Sequence, residues 1–87
     1  MKNMDFSKLQ ELLDNQVDWP SYYTFKFIVN ADNMDQALEH LSGHDIAKRP
    51  SRSGKYTSIT SKARFKSSEE VINVYKKMKT VEGIISL

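Results

Sequence analysis

The chain contains no cysteine, which removes disulfides, thiolate nucleophiles, iron–sulfur clusters and the usual structural zinc sites together. Glycine is scarce: Gly43, Gly54 and Gly83 are the only three, too few and too scattered to assemble a phosphate-cradling loop. Nucleotide-dependent chemistry is therefore not expected, and no cofactor is. Long apolar runs are missing as well. The longest is the three residues Phe27-Ile28-Val29, against about 20 for a membrane-spanning helix, and the N-terminus lacks the apolar stretch of a signal peptide. A soluble, cytoplasmic protein without membrane contact is the expectation. What is present, 39% hydrophobic and 28% charged residues in 87, matches an ordinary globular chain with room for one small core.

Charge is unevenly distributed. Residues 1–45 carry eight acids and three lysines, whereas 46–87 carry ten bases and three acids, so the halves stand at −5 and +7. Between Asp45 and Glu69 there is no acid, while Lys48, Arg49, Arg52, Lys55, Lys62, Arg64 and Lys66 all fall there. The segment Pro50-Ser51-Arg52-Ser53-Gly54-Lys55 within it has the composition of a loop joining two strands.

Hydrophobic periodicity supplies the elements. Asp5 or Ser7 can cap a short helix in which Phe6, Leu9, Leu12 and Leu13 form an apolar stripe, ending before Trp19-Pro20. Trp19 starts an extended segment, because the residue before proline avoids helical geometry. Tyr22 to Asn30 is aromatic and β-branched, with Phe25, Phe27 and Val29 on the inner face and Thr24 and Lys26 opposite. Asn33 with Gln36 reads as a capping box opening a helix with Met34, Ala37, Leu38 and Leu41 inward, stopped by Gly43. Ile46 to Pro50 and Tyr56 to Phe65 read as strands. In the second, Thr57, Ile59, Ala63 and Phe65 share one face and Tyr56, Ser58, Thr60, Lys62 and Arg64 the other. Ser67 with Glu70 opens a helix carrying Val71, Val74, Tyr75 and Met78, and Gly83 to Leu87 supplies a last strand.

The order is helix, then β-α-β-β-α-β. Two helices separated by strand pairs can both cover one face of a four-stranded antiparallel sheet, so an α+β, ferredoxin-like sandwich with an additional N-terminal helix is expected. Residues 1–18 form the extension and 19–87 the domain. One covered face leaves the other open to a ligand or a second copy.

Known chemistries find little support. His40 and His44 stand four residues apart beside Glu39 and Asp45, but Gly43 breaks the helix between them and no third ligand has a recognisable spacing, so no metal is expected. The serines have ordinary uses in loop, strand and caps, and no Gly-x-Ser-x-Gly elbow occurs. Acylphosphatases share the fold class and cradle phosphate after the first strand with an arginine nearby; Asn30-Ala31-Asp32-Asn33 has neither glycine nor arginine and carries an acid there. The chain is read as a non-enzyme. Bases around an aromatic on an open sheet do raise single-stranded RNA binding through Lys48, Arg49, Arg52, Lys55, Lys62 and Arg64, although the third strand offers only Tyr56 for stacking. The plainer account is a solvated edge protected by charge.

At Trp19-Pro20, and more so at Arg49-Pro50-Ser51-Arg52-Ser53-Gly54-Lys55-Tyr56-Thr57-Ser58-Ile59, the chain resembles the YbeD-like family of bacterial proteins, catalogued as a domain of unknown function. The resemblance runs from about Trp19 to Leu87, with the spacing of Pro50, Gly54, Tyr56 and Ser58 its most specific part. It implies a sandwich similar to the ACT regulatory domain and no established activity. ACT domains commonly pair through sheets or edges and hold an amino acid near a loop after the first strand that often contains glycine, which Asn30-Ala31-Asp32-Asn33 lacks.

The sequence therefore points to a small regulatory or interaction module, binding a protein or small ligand and pairing with itself through the open sheet or an edge, with RNA binding as the alternative. The candidate binding residues are Arg49, Pro50, Arg52, Gly54, Lys55, Tyr56, Ser58, Lys62 and Arg64.

Overall fold

The structure, a computed structural model, describes residues 6–87. Helix α1 spans Phe6–Gln16, strand β1 Ser21–Asn30, a 3-10 turn Ala31–Asn33, α2 Met34–His40, β2 Asp45–Pro50, β3 Tyr56–Phe65, α3 Ser68–Met78 and β4 Ile85–Ser86. The strands form one antiparallel sheet in the order β2-β3-β1-β4, the ferredoxin-like arrangement that the element order predicts.

Period-2 alternation sets the core. In β1, Phe25, Phe27 and Val29 are buried, and in β3 Thr57, Ile59, Ser61 and Phe65 join them. The helices close over this face with Ala37 and Leu41 from the α2 region and Val71, Ile72, Val74, Tyr75 and Met78 from α3. Phe25 organises the centre: its ring stacks on Phe27 at 5.8 Å and meets Phe65 and Tyr75 edge-on at 5.7 and 5.0 Å. The Tyr75 hydroxyl lies 2.9 Å from that of Tyr23. Burial, and then this hydrogen bond, push the Tyr75 phenol well above its ordinary pKa.

Several local expectations change. Asp5 lies outside the described residues, and Ser7 stands within α1 rather than capping it. Leu13 is buried and Phe6, Leu9 and Val17 pack against the core, but Leu12 is 53% exposed and leaves the stripe. Helix α1 lies on α3, where the Ser68 hydroxyl donates to Asp14 Oδ1. Asn33 makes no cap bond to α2; its side-chain amide donates to the Glu82 carbonyl at 2.9 Å. Asn30 instead accepts the Asp32 N–H at 3.0 Å and caps the 3-10 turn. The Ser67 cap forms, accepting from the Glu70 N–H at 3.4 Å, while the Glu70 carboxylate reaches the Lys66 N–H at 2.6 Å, one residue before its capping-box partner. Gly43, at φ 85°, ends the α2 region in the left-handed conformation that glycine adopts without strain. The last strand shortens to Ile85–Ser86, with the Leu87 N–H still donating to the Lys26 carbonyl at 2.9 Å. Trp19 lies in a bend rather than an extended segment, since β1 starts only at Ser21; it packs against the core, and its indole N–H is buried with no hydrogen-bond partner among the described residues. No described helix is long and apolar enough to cross a membrane.

Candidate functional site

Pairing register decides which side chains share the open face. Residues directly opposite in an antiparallel pair point the same way. Arg49 faces Ser58, which faces Ile28, which faces Ile85. One row along, Ala47, Thr60 and Lys26 line up, and beyond them Asp45, Lys62 and Thr24. Tyr22 pairs with Arg64 at one end of β1 and Asn30 with Tyr56 at the other. This face therefore presents Lys26, Arg49, Lys62 and Arg64 with Asp45 as its acid. It also holds Tyr22, Tyr56 and Ile85, three of the five large hydrophobic side chains exposed among the described residues.

The predicted residues divide into groups. Arg49, Pro50, Tyr56 and Ser58 line one notch of about 260 Å³, together with Ile28 and Ser51. Arg52, Gly54 and Lys55 lie in the hairpin beyond it. Lys62 and Arg64 fall outside the notch, about 13 and 20 Å from Ser58 by strand rise, and the Lys62 ammonium lies over the Tyr22 ring at 5.2 Å.

The hairpin is built largely by a serine. Ser51 N–H donates to the Tyr56 carbonyl at 2.7 Å, its own carbonyl accepts the Gly54 N–H at 2.9 Å, and its hydroxyl accepts the Tyr56 N–H at 3.2 Å. Gly54, at φ 74°, makes the reversal. Pro50, the last residue of β2, fixes one wall of the notch where Tyr56 fixes another. Ser51 was not among the candidate residues, nor were Ile28, Tyr22 and Ile85. Alternation in β1 already places Tyr22 and Ile28 on the face opposite Phe25, and apolar residues at such positions were the available signal.

Tyr56 also borders a second groove of about 560 Å³ with Asn30, Asp32, Asn33, Glu82, Gly83 and Ile85. Two carboxylates enter it, so it offers poor accommodation to an anion. The histidines take different partners: His44 Nδ1 lies 2.7 Å from the Ser61 hydroxyl, and His40 Nε2 3.5 Å from Thr80 Oγ1. His44 and Ser61 were not foreseen as a pair, being 17 residues apart in sequence. Ser61 is fully buried, which makes its hydroxyl a satisfied core group rather than an accessible nucleophile.

The profile of a family described as "Protein of unknown function (DUF493)" matches residues 14–87. The chain belongs to this family. A UPF0250 protein of Idiomarina loihiensis is 31% identical over 78 residues, covering 82% of this chain and 89% of that protein. Both findings agree with the YbeD-like resemblance read from the sequence, and neither carries an assigned activity. No solved structure matches the chain significantly. The family span takes in the whole sheet and the notch, while the α1 residues from Phe6 to Leu13 lie before it.

Proposed function

We propose that the protein is a non-catalytic interaction module that engages a protein through the open face of its sheet, at the β2–β3 hairpin end. The observation that carries this reading is the uncovered apolar surface. Tyr56 and Ile85, at this end of the sheet, are 42% and 49% exposed on the face opposite the helices, and Tyr22, 63% exposed, stands on the same face at the far end. A contiguous exposed apolar patch rimmed by polar residues marks an interaction surface. Arg49, Arg52 and Lys55 supply that rim on the hairpin side, and Asp32 and Glu82 border Tyr56 and Ile85 on the other.

A photo-crosslinking amino acid placed singly at Arg49, Tyr56 or Ile85 in cells is expected to give covalent adducts of higher mass. The same group at Lys76, exposed on α3, is expected to give none. Adducts from the helix position alone, or from no position, would refute the assignment. Adducts of twice the chain's mass would identify a second copy as the occupant.

A further inference from the structure

We infer that the partner presents an acidic segment, with one apolar side chain seated among Ile28, Pro50 and Tyr56 and a neighbouring carboxylate held by Arg49. This rests on the reading of the open face as a binding surface and specifies the chemistry that the surface recognises.

Size comes first. The notch, at about 260 Å³, falls below the ~300–1,000 Å³ of sites that enclose a small-molecule ligand. It suits a single side chain projecting from a larger partner. Its apolar walls are the Pro50 and Tyr56 rings and the Ile28 side chain. Of its polar groups, the Ser51 hydroxyl is engaged with the Tyr56 N–H and Ser53, which leaves Arg49 and Ser58 to meet a guest. A guanidinium offers paired N–H donors in the geometry a carboxylate accepts.

Charge then selects among occupants. The strand positions of the open face place Lys26, Arg49, Lys62 and Arg64 against Asp45, and the hairpin adds Arg52 and Lys55, while Asp32 and Glu82 lie in the separate groove on the other side of Tyr56 from Arg49. A second copy meeting this face with its own would set these bases against one another. A single-stranded nucleic acid would satisfy the charge but not the rest of the surface. Tyr22 and Tyr56 stand at opposite ends of the sheet, eight residues apart along β1 by register, or about 27 Å. Successive bases cannot stack on both, and Ile28 and Ile85 between them offer nothing to phosphate. Carboxylates beside an apolar side chain match both features.

The test pans the full-length chain against a displayed random-peptide library at about physiological salt. Enriched synthetic peptides are then titrated into isotopically labelled protein. Enriched sequences are expected to carry Asp or Glu beside Leu, Ile or Phe, and to shift the amides of Ile28, Arg49 and Ser58. Arg49→Glu and Tyr56→Ser should each weaken binding on the order of tenfold or more with an otherwise unchanged spectrum, whereas Lys76→Glu should not. Peptides without acids that shift the same amides would overturn the acidic chemistry and leave the binding face standing. Shifts confined to the helix layer would overturn both. The inference also fails if no peptide is enriched, or if oligouridine binds these amides more tightly than every peptide.

Discussion

His44 is held on three sides. Its ring stacks on Phe25 at 6.2 Å, meets Phe65 edge-on at 5.6 Å and places Nδ1 2.7 Å from the Ser61 hydroxyl. Burial, and then the nearby Lys77 charge, lower its pKa below the ordinary value of 6.5. The unfolded chain therefore takes up the proton more readily than the native one. Stability is lost as pH falls through about 6.5, and the loss levels off below the lowered native pKa, where both states are protonated. Thermal midpoints measured between pH 7 and 5 should decline more steeply for the native chain than for His44→Gln, whatever the variant's absolute stability. Parallel declines would exclude His44 as the source. In the sequence His44 stands out only by its four-residue spacing from His40, which Gly43 interrupts. Its pairing with Ser61 is created by β2 folding back along β3, a contact no local spacing encodes.

At the scale of elements, legibility followed how local each determinant is. Strands β1 and β3 were readable because Phe25, Phe27 and Val29, and Thr57, Ile59 and Phe65, alternate strictly, and a period of two fixes which face is buried. The Ser67 cap was readable because its partner is three residues away. The Asn33 capping box failed because tertiary and neighbouring bonds won: Asn33 reaches Glu82, 49 residues on, while Asn30 captures the turn. The notch was half readable. Pro50, Tyr56 and Ser58 come from one stretch of sequence, but Ile28 joins them only through the β1–β3 register. In α1 the sequence offers Leu12 and Leu13 as equals, and packing on α3 separates them. Leu13→Ala should cost about 2–5 kcal/mol, the range for a buried leucine, and Leu12→Ala less than about 0.5 kcal/mol, as for exposed positions. Denaturant midpoints of the two variants would check this, and equal losses would mean that α1 buries a different face.

Across the whole molecule, the acid-free stretch of the chain becomes one basic region of the fold, while Lys76, Lys77 and Lys79 stand apart from it at the end of α3. The basic run from Lys48 to Lys66 occupies β2, the hairpin and β3, while Glu11, Asp14, Asp18, Asp35 and Glu39 belong to α1, α2 and their flanks. Like charges along β2 and a proline at its end also protect an edge that would otherwise pair with other chains. The sheet is unequally supported. Residues Thr57 to Lys62 of β3 have strand partners on both sides, whereas β4 accompanies β1 only at Phe27 and Ile28, leaving the segment of β1 from Ser21 to Phe25 paired on one side. Opening free energy follows such support, since an amide exchanges through the smallest fluctuation that exposes it. Native-state hydrogen exchange should therefore find the slowest amides in the centre of β3 and in the β1 residues bonded to it. Amides of β2 that point away from β3, and those of Ile85 and Ser86, should exchange through local opening, largely independent of denaturant at low concentration. If the β2 edge is as protected as the centre of β3, that strand is covered by a further contact, and the open surface of the molecule is smaller than the sheet alone implies.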